Sequence, residues 1–519
     1  MNKELSVKAG IWASILISMF FGILLFFQVY IDDAFIFFKF GYNLVHHGVW
    51  SYSTDGLRSE AYTSFIYALF SIFPPLLNIP AHIFIKCVGL VIFMAMLWRI
   101  YKKTSAKKWA LITILLITTN WQVYVHAFSG LETLLWCWLL LEAFFIIREE
   151  KVAAGKQLQL WLLCLLLALT RPEGVIYAAF FFVYLKWIKK QPINYLYIVI
   201  VAVLGIIYFA LRYWYFGLLF PLPFYHKVMD NQFGKLAFIF NMYTSWHYLI
   251  CAAMVLYFLR KFKLVYYIGA VSFLIFFLLY GKSFLVMNFA DRFPFQLFLP
   301  FIIFALIQLE KSDYIHKVKI LLVAGFLNLI VFSKGLYNEN LIELASITNN
   351  AGSAFFLPRS HYILAKNINK IPNVEQKQLK VLFGDAGVFP YYVKAKCYDY
   401  NGLTDAYMVK NKLTDSYFDS RDADIVLIGT PFENKDNLVK DPTACKVIYT
   451  MAEKRPFYKY AGYTISKENG YYVHIYFKTT SPHAAELEKA LQAAVDESKN
   501  AVFRIKRFLK FRYLDMDNI

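Results

Sequence analysis

Charge, glycine and proline are scarce in this sequence: of 519 residues only 17% are Asp, Glu, Lys or Arg, with 23 Gly and 16 Pro. That shortage excludes collagen-like, mucin-like and disordered chains, whose open conformations need Gly, Pro or net polarity. Cysteine is sparse too. The six copies, at 87, 137, 164, 251, 397 and 445, form no C-x-x-C pair, which excludes a zinc ribbon or an iron–sulfur protein. Apolar surface is what abounds. With 59% hydrophobic residues, 51 Phe, 38 Tyr and a mean hydropathy of +0.47, repeated apolar runs separated by basic clusters describe a polytopic α-helical membrane protein. A formal charge of +19 invites a nucleic-acid reading, but its distribution along the chain excludes nucleic acid as a partner.

Apolar segments lie at 11–30, 62–77, 81–98, 109–126, 131–147, 158–170, 174–187, 194–214, 236–259, 264–281, 293–309 and 318–332, after which the pattern becomes soluble. The first has no small-residue cleavage site and is expected to be a retained helix. Basic residues crowd alternate connections: Arg99 to Lys108, Arg148 to Lys156, Lys186 to Lys190, Arg260 to Lys263 and Lys311 to Lys319. The positive-inside rule makes these cytoplasmic and the intervening connections extracytoplasmic. Only one net crossing fits between Arg58 and Arg99, so Phe73-Pro74-Pro75 and Pro80 predict a broken or re-entrant helix within 62–77.

This partition, based on Lys and Arg alone, brings the polar motifs to one face: Asp32-Asp33, Glu60, Glu132, Arg171-Pro172-Glu173, Tyr225-His226-Lys227 and Asp291-Arg292. The first outer loop, 31–61, is expected to carry an interfacial helix with Asp32, Lys39, Asn43, His46 and His47 on its polar arc. Paired carboxylates at its start suit a general base beside a metal ligand or basic partner; capping of the helix is the competing reading. Arg171 suits a phosphate, against a structural ion pair with Glu132 or Glu173. Lys227 and His226 suit a phosphate and a metal, against an interfacial aromatic and basic belt that includes Tyr225. Asp291 and Arg292 are adjacent at a helix start, where capping and headgroup anchoring are the simpler roles.

The chain is thus divided into a membrane domain over 1–332, an outer α/β or α+β domain over 333–499 and a basic amphipathic tail over 500–519. In the outer domain, Gly384-Asp385-Ala386-Gly387 and Asp399 to Asp405 read either as ligand-binding loops or as tight turns. Cys397 and Cys445 share the outer compartment, so a disulfide between them is open.

In order along the chain, DDAFIFFKFGYNL at 32–44, SEAYTSFIYALF at 59–70, SGLETLLW at 129–136, TRPEG at 170–174, FPLPFYHK at 220–227, DRFPFQLFLP at 291–300, and GDAGVFPYY with DYNGLTD at 384–392 and 399–405 resemble the GT-C superfamily of membrane glycosyltransferases. The resemblance is to the bacterial branch that includes mycobacterial terminal β-arabinofuranosyltransferases. Lys39 stands where that pattern has Arg, Ala61 where it has Gly, and LPFYHK where it tends to PNTFYAK.

The resemblance implies a multi-pass enzyme of the bacterial inner membrane, with its active site and C-terminal domain outside the cytoplasm. It would move a sugar from a polyprenyl-phosphate donor to a hydroxyl of a glycan, lipid or protein, with inversion. Asp32 or Asp33 becomes the base, with Asp32 favoured by its polar arc. Arg171, Lys227 and Arg292 become the phosphate-binding cations. Lys39, Asn43, Glu60, Glu132, Glu173, Tyr225, His226, Asp291, Asp385 and Asp405 are the supporting or substrate-binding candidates. A divalent cation is left open, with Asp33, Glu60 and His226 as candidate ligands. A transporter or flippase of lipid-linked sugars is the competing class, but transporters tend to break helices at the midplane in repeated halves, whereas these polar breaks gather at helix ends on one side.

Overall fold

The computed structural model describes residues 3–27, 29, 31–54, 58–228, 234–280, 288–311, 314–338, 359–411, 413–441, 443–467 and 471–500. Residues 501–519, most of the expected amphipathic tail, lie outside the described residues. Among those described, seven helices are long and apolar enough to cross a membrane: Val7–Phe26, Ala81–Lys103, Tyr195–Phe216, Phe238–Phe258, Lys263–Tyr280, Phe289–Gln308 and Ile315–Lys334. Each falls on an apolar segment of the sequence. The shorter helices Thr133–Arg148, Ala154–Thr170 and Gly174–Val183 pack among them.

Two of these helices mark the extremes of environment. Phe289–Gln308 is wholly enclosed, and indole N–H groups of Trp136 and Trp109 donate to its carbonyls at Gln296 (3.2 Å) and Leu306 (2.6 Å). Tyr195–Phe216 is almost wholly exposed, with only Arg212 buried, as a helix facing lipid on most of its circumference would be. The 62–77 segment is broken as its prolines require, into Phe65–Phe70 and Phe73–Leu77. The 109–126 segment is broken as well, which the hydropathy did not reveal. Lys107–Thr118 and Trp121–Phe128 meet at 70°, and the Asn120 side chain caps the second helix by accepting from Gln122 N–H at 3.0 Å.

Polar contacts separate into two ends. At one, Arg99 pairs with Glu142, Lys156 with Glu149, and Glu310 accepts from the Ser105 amide. At the other, the Ile31 amide donates to Ser129, Glu132 meets Arg171, and Glu60 meets Arg212. This is the grouping that the Lys and Arg distribution predicts.

The C-terminal domain is a sheet between two helical layers. Strands β1 (Lys380–Phe383), β2 (Lys396–Tyr398), β3 (Ile425–Thr430), β4 (Tyr458–Lys467) and β5 (Tyr471–Lys478) lie in the order β2-β1-β3-β5-β4. The pairs β1–β2 and β1–β3 are parallel, and β3–β5 and β4–β5 antiparallel. Because side chains alternate along a strand, Val381, Ile425 and Leu427 pack under Arg359–Asn369 and Ala484–Asn500, while Leu382, Val426 and Ile428 pack over Asp415–Arg421 and Ala444–Glu453. Cys397 lies with the first layer and Cys445 with the second, so the sheet stands between them and both are free thiols.

The first-loop helix Ala34–His47 departs from the interfacial expectation. Phe35, Ile36, Phe37, Phe38 and Phe40 are all buried, because the helix is sandwiched between the broken 62–77 segment and the C-terminal segment Val388–Tyr392. Its polar arc is largely committed to backbone: Asn43 donates to the carbonyls of Ser51 and Tyr52, each at 2.9 Å, and Lys39 to that of Pro390 at 3.0 Å. A helix apolar on nearly every side is a buried one.

Close helix approach yields a prediction. A Cβ on Gly89 would lie 1.7 Å from the carbonyl oxygen of Ala127, a backbone atom with no rotamer to escape into. Gly89→Val is expected to destabilise the membrane domain by about 1–3 kcal/mol or more, read as a lower thermal midpoint of the detergent-solubilised protein. An unchanged midpoint would mean that Ala81–Lys103 and Trp121–Phe128 do not cross so closely.

Candidate active site

The first loop and the C-terminal domain meet at Asp32. Its Oδ1 accepts a 2.8 Å hydrogen bond from the Val388 amide and lies 3.7 Å from His361 Nδ1. The opposite ring nitrogen, Nε2, lies 3.1 Å from Asp385 Oδ2, and the Tyr471 hydroxyl donates to the same oxygen. Gly387 makes this junction possible, since a Cβ there would fall 2.2 Å from the Asp32 carbonyl oxygen and 2.3 Å from its carboxylate. Around this point, Tyr52 donates to the Ala386 carbonyl at 2.5 Å, and Phe35 packs on Tyr391 and Tyr392 with ring centroids 5.4 and 5.7 Å apart. Asp33 sits at the N-terminus of Ala34–His47 and makes no side-chain cap, so capping alone does not account for the pair.

His361 is buried, and burial opposes its charge, yet the carboxylates of Asp32 and Asp385 on either side raise it to about 9. Burial and the Asp385 carboxylate push the Tyr471 phenol well up, so it serves as a donor. Two partly exposed carboxylates, 16% and 28% accessible, therefore flank an enclosed imidazole.

A second polar centre lies inside the same end of the bundle. Glu132 Oε1 is shared by Arg171 Nη1 and Arg292 Nη2, each at 2.7 Å. Arg171 Nη2 reaches Glu173 at 3.1 Å, Tyr280 donates to the same carboxylate, and Gln296 donates to the Tyr280 hydroxyl at 2.5 Å. Arg292 Nε also donates to Thr133 at 3.2 Å. Two guanidiniums balanced by two carboxylates form a neutral, enclosed cluster, and Glu132 Oε2, Glu173 Oε2 and Arg171 Nε each remain without a hydrogen-bond partner. The ion-pair alternative for Arg171 is thus present in the structure.

Asp291 is neither a cap nor a headgroup anchor. It is held at φ +52° beside Ala290 at φ +46°, and its carboxylate accepts from Gln122 at 2.7 Å and meets His247 at 2.9 Å, with Lys334 completing the set. Glu60 pairs with Arg212 at 2.5 Å, joining the first loop to a late helix. Asp405 caps Ala406–Lys410 and pairs with Arg421 at 2.9 Å, and Asp399 closes a turn by accepting from Asn401 and Thr404, so the tight-turn reading describes that loop. Tyr225 accepts from the Phe220 amide at 3.3 Å, and the side chains of His226 and Lys227 lie outside the described residues. Among those described, no group of three or more His, Cys, Asp or Glu is gathered as a metal site.

The structure also brings in residues that the sequence reading passed over. Lys86 is fully buried at the start of a span and donates to the Val29 carbonyl at 2.9 Å and to that of Phe27, just ahead of Asp32. Its signal was legible as a single cation within an apolar run, as was that of Arg212. His361 carried no such signal, because it stands in a polar helix far along the chain.

Two outcomes follow from these pairings. Glu132→Gln, which strips both guanidiniums of a shared carboxylate, should cost about 3–5 kcal/mol, while Glu488→Gln in the exposed pair with Lys459 should shift stability by no more than about 0.5 kcal/mol; thermal unfolding in detergent compares them. His361 is raised from 6.5 to about 9, so its contribution to docking is full below pH 6.5 and lost as pH rises through about 9. After correction for the intrinsic pH dependence of exchange, hydrogen-exchange protection of the Val388 amide should fall across that window in wild type and stay flat in His361→Gln.

No family model matches the chain, and no curated protein matches it in sequence. Solved structures that share its architecture include two of one protein. One is ArnT from Cupriavidus metallidurans bound to undecaprenyl phosphate, with TM-score 0.57 and 11% identity over 90% of this chain and 98% of that one. The other is the same protein in the apo state, with TM-score 0.55 and 10% identity over 91% and 98%. At such identity the likeness speaks for architecture: the chain is a multi-pass membrane protein with the fold of ArnT and a C-terminal five-stranded sheet domain.

Proposed function

We propose that this protein is a polyprenyl-phosphate-dependent glycosyltransferase that attaches a sugar to a hydroxyl of a cell-envelope glycan, lipid or protein. The observation that carries the reading is the GT-C fold, shared along 98% of a protein solved with undecaprenyl phosphate. The paired acids Asp32 and Asp33 lie where the membrane domain meets the C-terminal domain, as an acceptor-activating group would.

Asp32 is the base. It takes the proton of the acceptor hydroxyl as that oxygen bonds to the anomeric carbon, while the carbon–oxygen bond to the carrier phosphate breaks on the opposite side, which inverts the centre. The departing polyprenyl phosphate gains negative charge. Lys86, at this end of the bundle, and Lys227 supply positive charge, and Arg171 and Arg292, whose charges Glu132 and Glu173 balance, serve as hydrogen-bond donors to the phosphate. Glu132 and Glu173 hold the two arginines in register. The distribution of Lys and Arg supports a bacterial inner-membrane topology with this end outside the cytoplasm.

The test is transfer of radiolabelled sugar from a polyprenyl-phosphate fraction extracted from membranes to endogenous acceptors, at matched expression. Asp32→Asn is expected to lower transfer by about 10²–10⁴-fold with donor binding retained. Unchanged transfer in both Asp32→Asn and Asp33→Asn would remove the base assignment, and translocation of the labelled lipid without transfer would assign the protein to the flippases.

A further inference from the structure

His361 stands at the junction, and its two nitrogens face two carboxylates from different parts of the chain: Asp32 in the first loop and Asp385 in the turn after β1. A neutral imidazole has a single N–H and would turn a lone pair toward one of those carboxylates. The doubly protonated ring turns an N–H toward each, in ion-pair contacts that are not yet hydrogen bonds. Apart from His361, no basic side chain is paired with either acid among the contacts described; the Val388 amide donates to Asp32, and the Tyr471 hydroxyl to Asp385. The ring itself is 2% exposed, walled by Phe383 at 5.0 Å and Tyr471 at 6.0 Å between centroids.

The arrangement is carboxylate, imidazolium, carboxylate, with only the two ends reaching solvent. In a base that must present one oxygen to an incoming hydroxyl, a fixed cation behind the carboxylate holds it ionised and aimed, and a second carboxylate behind the cation limits how far it weakens the base. The 3.7 Å separation from Asp32 is an ion-pair distance longer than a hydrogen bond, and such contacts commonly shorten when the acceptor arrives.

We propose that His361, backed by Asp385, is a positioning residue for Asp32, so that the C-terminal domain completes the active site of the membrane domain. The assignment rests on the glycosyl-transfer reading above and extends it to a residue outside the membrane domain. It makes transfer conditional on docking, because the imidazole belongs to one domain and the base to the other.

The experiment is steady-state transfer with the full-length protein in detergent, using the extracted radiolabelled polyprenyl-phosphate sugar fraction as donor. His361→Gln should lower kcat by about tenfold or more while KM for the donor moves by less than about twofold. Combined with Asp32→Asn, it should cause no additional loss, since a positioning residue has nothing to position once the base is gone. Asp385→Asn should produce a smaller loss of kcat in the same direction, and because it leaves the ring in place it serves if His361→Gln does not fold. Losses that multiply in the double variant, or kcat unchanged in either single variant at matched folded yield, would overturn the role of His361 while leaving glycosyl transfer intact. Absence of transfer by wild type from this donor would instead overturn the functional reading and the role with it.

Discussion

Inside a bilayer a charge survives only when another group answers it, and in this protein Glu132 answers two. One carboxylate oxygen accepts from both Arg171 and Arg292 at 2.7 Å. Those arginines come from the turn after Ala154–Thr170 and from the start of Arg292–Gln308, while Glu132 begins Thr133–Arg148. Three chain segments, widely spaced in sequence, are therefore fixed at one depth by a single buried group. Hydrophobic packing offers little such selectivity between helices, since lipid tails are as apolar as leucine. The polar cluster sets the register that packing alone leaves loose.

From that fixed point the site builds outward. Ser129, three residues before Glu132, accepts from the Ile31 amide and so holds the chain just ahead of Asp32. The C-terminal domain comes down on the same spot with the carboxyl edge of its parallel strands: β1 leads into Gly384-Asp385 and β2 into Asp399-Tyr400, and the turn after β1 reaches Asp32 through Gly387. In open α/β sheets the carboxyl ends of parallel strands are the usual ligand edge. Here that edge abuts a second domain.

Much of this was legible in the sequence, for identifiable reasons. Lys and Arg avoid one side of a membrane, so their positions alone gathered Asp32, Glu60, Glu132, Arg171 and Asp291 at one end, and the structure gathers them there too. Prolines announced the break at Phe73–Leu77. The 70° bend at Asn120 had no such marker, because neither Pro nor Gly interrupts the run. The polar arc of the first loop was read as one side of a helix lying in the membrane interface; Asn43 and Lys39 instead satisfy carbonyls of chain that folds back over them, a tertiary event that periodicity does not encode. His361 escaped for the same reason. Its meaning comes from Asp32, more than three hundred residues earlier in the chain.

Phe289–Gln308, enclosed on every side, has a consequence for how the protein is made. Its neighbours include Lys107–Thr118, Thr133–Arg148, Gly234–Phe258 and Lys263–Ile275, all synthesised before it, and Tyr314–Asn338, synthesised after. Because one wall of its enclosure is synthesised after it, the burial of Phe289–Gln308 cannot be complete until Tyr314–Asn338 has also been made.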